Sequence, residues 1–294
     1  MGILAREMTH LAKQAGGAHK TVSDRMAQAR RFCGRLMEQN VQIRHVQHLK
    51  ARHIEDYIRH RLVQGIDKRT LQNEMAMIRI VLRQAGRVKL ADGDRISNRA
   101  VGIGGASRNG TRRAITDDKY QAVQESARLK DPGLAAALEL ARLMGLRSQE
   151  AVRCPQSFSS WRQALERGES RLTVVFGTKG GRPRETVILD AGAVKKALDN
   201  AAGIAEQRNG RLIDRATLKE AMQFWRKQAE RLGLTGQNSP HSLRYAWAQE
   251  AIRHYLAQGF SRQEALAMTA MDLGHGDGRG RYVAQVYGLR GEAD

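Results

Sequence analysis

Apolar positions recur every three or four residues through the first third of the chain, which is the period of an amphipathic helix. Val22, Met26, Ala29, Phe32 and Leu36 predict a helix over about 21–40. Ile54, Ile58 and Leu62 predict another over about 51–63, and Leu71, Met75, Ile78 and Leu82 a third over about 67–85. Arg and Lys occupy the outward positions of each. Residues 1–96 therefore read as an all-helical, basic unit.

The pattern breaks at 97–113, SNRAVGIGGASRNGTRR, where Gly102, Gly104, Gly105 and Gly110 favour a flexible connection. Arg99, Arg108, Arg112 and Arg113 make it strongly basic. A domain boundary is expected here, with a second unit over 114–294.

That second unit opens on Thr116-Asp117-Asp118, a helix N-cap signature. A long Ala/Leu helix follows over about 132–144. RLTVVF at 171–176 and ETVIL at 185–189 are strand-like, and GTKGGRPR between them is rich in turn formers, so a β-hairpin is expected. Helices are predicted over about 191–207, 216–232, 241–257 and 261–272, and a final one carries Tyr282 and Tyr287. The expected fold is mainly α with a small antiparallel β-sheet in the second half, an α+β domain behind a helical one.

Charge narrows the function. Fifty Lys and Arg face thirty Asp and Glu in 294 residues, a formal net charge of +20. An excess spread along the whole chain points to a polyanion, with nucleic acid ahead of an anionic membrane surface. The two cysteines, Cys33 and Cys154, lie far apart and match neither a disulfide framework nor a zinc motif. No apolar run approaches the ~20 residues of a membrane span. The start MGILAREMTH has no signal-peptide core, and Arg6 stands where a myristoylation motif needs Ser or Thr. A cytoplasmic protein without membrane contact is expected.

Four segments carry chemistry. In LMGLRSQEAV, Arg147 opens a helix and Glu150 lies three residues on, where a carboxylate can anchor the guanidinium as a fork for phosphate oxygens. In GTKGGRPR, Lys179 sits on a turn, free to donate a proton to a leaving oxygen. In PHSLR, His241 and Arg244 fall on adjacent turns of one helical face, pairing a proton carrier with a fixed positive charge. In LGH, His275 stands at a Gly-rich break, before Tyr282 and Tyr287. Each signal is weak alone, since surface Arg–Glu pairs and turn lysines are common.

Their order is specific. Arg with Glu three residues later, Lys in a β-turn, His-x-x-Arg, Leu-Gly-His and then Tyr together resemble the tyrosine recombinase/integrase family, across the whole second unit. The first unit resembles that family's helical core-binding domain, on pattern, charge and position only. The resemblance implies that Arg147 and Arg244 grip the non-bridging oxygens of a scissile phosphate and that Glu150 supports Arg147. It implies that Lys179 protonates the departing 5′ oxygen, that His241 assists proton transfer from the nucleophile and that His275 hydrogen-bonds the phosphate. Tyr287 is expected as the nucleophile, with Tyr282 as the alternative.

The sequence departs from the family pattern in two places. At Ala284, nine residues after His275, many members carry the tyrosine; Tyr282 lies seven and Tyr287 twelve residues after that histidine. Val286-Tyr287 matches the apolar-Tyr context, and the loop GDGRG at 276–280 can absorb an insertion. Only seven residues follow Tyr287, fewer than the tail that many members extend to a neighbouring subunit.

The implied activity is site-specific recombination: cleavage and rejoining of duplex DNA through a covalent 3′-phosphotyrosyl intermediate, with no cofactor, metal or ATP. The sequence holds no GxxxxGK[ST] motif and no evident carboxylate cluster for two metals. The implied assembly is a homotetramer clamped on two recombining sites, from a protein that is monomeric when free. The competing expectations are DNA relaxation of the type IB topoisomerase kind, a catalytically decayed DNA-binding or regulatory protein, and a basic RNA-binding or ribosome-associated protein.

Overall fold

In the computed structural model, which describes residues 2–107 and 109–288, the chain divides into two compact units, Met1–Ser107 and Arg108–Asp294. Arg108, one of the arginines expected in the linker, and residues 289–294 of the short tail lie outside the described residues.

The first unit is built from α1 (Ile3–Gln14), α2 (His19–Glu38), α3 (Ala51–Val63), α4 (Lys68–Gln84) and the short α5 (Val88–Ala91). The periodic residues point inward as their spacing requires: Phe32, Leu36, Ile54, Ile58, Leu71, Met75, Ile78 and Leu82 are all buried. Helix α1, which no single pattern above had picked out, adds Leu4, Met8 and Ala12 at the same period. One charged group enters this core. Glu74 is fully buried, accepts hydrogen bonds from Tyr57 Oη at 2.7 Å and Arg31 Nη1 at 2.6 Å, and pairs with Arg61 Nη2 at 3.0 Å, tying α2, α3 and α4 together. Outward positions hold exposed Arg30, Arg52, Arg59, Lys68 and Arg69.

The stretch 97–113, expected as a flexible tether, is anchored towards both of its ends. Ile103 is buried in the first unit, where its carbonyl accepts from Gln72 Nε2 at 2.8 Å, and Arg79 donates to Asn98 Oδ1 at 2.9 Å. In the second unit, Gly110 N donates to Gln285 O at 3.3 Å and Arg113 N to Gln237 O at 3.0 Å. Glycine there supplies turns and close approach as much as freedom.

The second unit runs α6 (Asp117–Lys130), α7 (Pro132–Met144), α8 (Ser148–Arg153), α9 (Phe158–Glu166), β1 (Arg171–Val174), β2 (Arg184–Val187), α10 (Ala191–Glu206), α11 (Leu218–Arg231), α12 (His241–Ala257), α13 (Arg262–Asp272) and α14 (Gly280–Tyr287). Helix α7 is the central rod. Asp131 caps it by accepting from the Gly133 and Leu134 amides, Pro132 occupies its first turn, and its Ala and Leu residues are buried nearly all round. It packs on α6, α10 and α12. Gly145 ends it in the left-handed region at φ 58°, where a β-carbon would lie 2.6 Å from the Trp247 ring.

The strands form a two-stranded antiparallel hairpin with Arg171 opposite Val187 and Val174 opposite Arg184. Both are shorter than the apolar runs suggested. Alternation sends Leu172 and Val174 into the core, and Trp161 Nε1 donates to Thr173 O at 2.7 Å, seating α9 on β1. Among the described residues, no helix is long and apolar enough to cross a membrane.

Candidate active site

Arg147, the N-cap of α8, donates from its backbone N–H to Glu150 Oε2 at 2.8 Å and from Nη1 to Oε1 at 2.6 Å. The three-residue spacing thus lets one carboxylate both accept from the first free amide of α8 and hold the guanidinium. Nη2 donates to the carbonyl of Leu273 at 2.9 Å. Arg244, in the first turn of α12, reaches the same carbonyl from Nη2 and the Gly145 carbonyl from Nη1. Its side chain is fully buried, and its Nε–H has no hydrogen-bond partner among the described residues.

Glu150 is surrounded by guanidinium groups. Arg184 Nη2 donates to it at 2.8 Å, and Arg147 donates from the other side. Burial would raise the Glu150 carboxyl, but Arg184 foremost, with Arg244 and Arg147, holds it down at about 2. Three arginines around one carboxylate leave an excess of buried positive charge, the electrostatics of an anion site. Desolvation and the neighbouring Arg184 push Arg244 down to about 10.

The phenol of Tyr287 lies between two imidazoles, with His275 Nε2 at 3.3 Å and His241 Nε2 at 3.4 Å. Its ring packs on Tyr245 at 4.5 Å between centroids. Burial and then Arg244 and Arg147 depress both histidines, His241 to about 4 and His275 to about 3, so both imidazoles are neutral at pH 7. Tyr282, on the same helix, is 39% exposed against 2% for Tyr287, and its ring meets that of His275 in a T-shaped contact at 4.8 Å between centroids. Lys179 sits on a short 3₁₀ turn, Lys179–Gly181, between the strands. It lines one cleft of about 820 Å³ with Arg147 and His275.

The structure therefore gathers Arg147, Glu150, His241, Arg244, His275 and Tyr287 in one place and sets Lys179 on the wall of the adjoining cleft. Comparison with known families agrees with this arrangement. A family model described as "Integrase" matches residues 102–250, and one described as "Phage integrase, N-terminal" matches residues 1–91. The chain belongs to the tyrosine recombinase, or phage integrase, family.

Solved structures share the fold of this integrase. A lambda integrase tetramer bound to a Holliday junction is 17% identical with a TM-score of 0.58, over 99% of this chain and 78% of that one. A lambda integrase dimer bound to a COC′ core site is 20% identical with a TM-score of 0.58, over 99% and 77%. A lambda integrase fragment, residues 75–356, bound to DNA is 18% identical with a TM-score of 0.56, over 92% and 91%. No curated protein sequence matches the chain.

Sequence reasoning missed three members of this integrase's site. Arg184 is buried, holds Glu150 and donates to the carbonyls of Asp272 and Gly145. Its signal was the period of two in β2, which puts Arg184 on the inward face with Thr186. Asp272 is fully buried one residue before the Leu-Gly-His segment. Tyr245, four residues after His241 on α12, packs its ring at a tilt of 49° against that of Tyr287, and burial pushes its phenol up to about 12.

Proposed function

We propose that this integrase is a site-specific recombinase that cuts and rejoins duplex DNA through a 3′-phosphotyrosyl link to Tyr287. Arg147 and Arg244 hold the non-bridging oxygens of the scissile phosphate, and Glu150 fixes Arg147. The Tyr287 oxygen attacks phosphorus while the phenol proton passes to His241. The bond from phosphorus to the 5′ oxygen breaks, Lys179 gives that oxygen a proton, and His275 donates a hydrogen bond to the phosphate. Religation runs the same steps in reverse with a new 5′ hydroxyl, so the phosphotyrosyl bond carries the energy of the original diester.

The observation that supports this reading best is the Tyr287 phenol, within 3.4 Å of both imidazoles and among buried arginines that outnumber their carboxylate. The buried Arg244 Nε–H, without a partner among the described residues, lacks the kind of acceptor that a phosphate oxygen supplies. A phosphate would also raise both histidines towards the range where they exchange protons.

Residues 1–96 serve in this reading as a core-binding domain, 97–113 as the linker and 114–294 as the catalytic domain. In this reading four protomers hold two recombining sites and the free protein is monomeric; the lambda integrase tetramer bound to a Holliday junction supports the fourfold assembly.

The test is covalent trapping on a pool of nicked duplexes of random sequence, from which a cleaved nucleotide escapes and blocks religation. Protein–DNA adducts should form with the unmodified chain, persist in Tyr282→Phe and vanish in Tyr287→Phe, whose duplex binding stays near normal. Adducts that survive Tyr287→Phe and vanish in Tyr282→Phe would reverse the assignment. Absence of adducts from a chain that binds duplex DNA would leave a binding protein.

A further inference from the structure

A second arginine in the cleft repeats the design of Arg147. The side chain of Arg147 is 21% exposed and is held by Glu150, whose side chain is fully buried. That of Arg171, the first residue of β1, is 28% exposed and is held by Asp272, whose side chain is likewise fully buried. Each buried carboxylate has a further donor. Glu150 accepts from Arg184, while Asp272 Oδ2 accepts from Tyr255 Oη at 2.7 Å. Tyr255 in turn accepts from Arg171 Nη2 at 2.8 Å, so this guanidinium is fixed at two nitrogens.

The guanidinium of Arg171 is not sealed into the core. Arg171 instead lines the same cleft as Arg147, Lys179 and His275, along with Arg182 and one carboxylate, Glu185. Strand alternation is the reason: Leu172 and Val174 face the core, so Arg171 and Thr173 take the cleft side. A guanidinium has five N–H donors, and the two contacts above leave others for a planar anion. Its holder, Asp272, is joined directly to Leu273, whose carbonyl anchors both Arg147 and Arg244.

We propose that Arg171 is a second phosphate fork, which grips a further backbone phosphate of the duplex whose scissile phosphate is held by Arg147 and Arg244. This rests on the reading of duplex DNA as the ligand. Asp272 is its positioning residue: it keeps the fork rigid, as Glu150 does for Arg147.

The experiment measures affinity for a short duplex of arbitrary sequence against salt concentration, with Arg171→Gln, Arg171→Gln/Asp272→Asn and, for reference, Arg147→Gln. Each phosphate contact contributes about −0.9 to the slope of log K against log[salt]. Arg171→Gln should make the slope shallower by about 0.9. The double variant should do the same, although it removes one charge of each sign and leaves net charge unaltered. It also leaves no buried carboxylate unpaired, so it carries the test if the single variant does not fold. Denaturation midpoints report the fold of each. A slope unchanged by both Arg171 variants, with Arg147→Gln shallower, overturns this inference and spares the DNA reading. No salt-dependent duplex binding by the unmodified chain overturns both.

Discussion

At the scale of single residues, the two histidines give the site a pH signature. In the unfolded chain an imidazole titrates near 6.5, whereas the folded values are about 4 for His241 and about 3 for His275. Between about pH 6.5 and 4 the unfolded state therefore holds protons that the folded state refuses, and stability falls as pH falls. At pH 5 the loss should be about 1–2 kcal/mol for each histidine, discounted for partial exposure of His275. Urea midpoints at pH 7 and pH 5 check this. The loss should shrink markedly in a His241→Asn/His275→Asn variant, and an equal loss would place the titration elsewhere. The same scale separates the two phenols. Val283 and Tyr287 are four residues apart and share the buried face of α14, while Tyr282 is offset by about a quarter turn and emerges. In the sequence this spacing did not decide between them, since Tyr282 and Val286 are four residues apart just as Val283 and Tyr287 are.

At the scale of elements, the end of α7 bears most on the site. Gly145 is left-handed, has the Trp247 ring where a β-carbon would go, and offers its carbonyl to both Arg184 and Arg244. Gly145→Ala should cost at least about 2 kcal/mol, from the left-handed conformation of an L-residue and from overpacking. Thermal melting should register that loss, and adduct formation should fall more than the shift in melting explains, because the arginine acceptor moves. An unchanged melting temperature would contradict the packing described. The long periodic helices were legible because one face of each meets a core: the spans over 51–63 and 132–144 match α3 and α7 as observed. The start of α8 at Arg147 was legible too, but α9 was not, since Pro155 and several serines break the period and that helix is only nine residues long. The register pairs only 171–174 with 184–187, so Val175 and Phe176 have no partner in the hairpin, while beyond β2 Ile188 still donates to the Ser170 carbonyl at 2.9 Å. Glu150 was legible as a local partner of Arg147. Arg184 and Asp272 were not, because what gives them meaning is contact across 34 and 88 residues of chain.

At the scale of the molecule, a net charge of +20 is set against a site that needs only a few positive groups. The remainder is spread over exposed positions such as Arg30, Arg52, Arg59, Lys68 and Arg69 in the first unit. Binding to duplex DNA without regard to sequence should therefore be counterion-driven. Between 50 and 200 mM salt the affinity should drop by about 10³-fold or more, as for roughly six or more phosphate contacts. A filter-binding or anisotropy titration at several salt concentrations checks it, and a flat response would separate the charge from nucleic-acid binding.

The carbonyl of Leu273 receives a hydrogen bond from each of Arg147 and Arg244. Because this shared acceptor belongs to the main chain, every amino acid at position 273 would supply it. Replacing the leucine can loosen the core beneath, yet it cannot delete the oxygen that aligns the two cations. The site is thus buffered against sequence drift at its own hub, and its vulnerability shifts to whatever sets the path of the peptide there, Gly274 foremost, with its left-handed turn against Arg184.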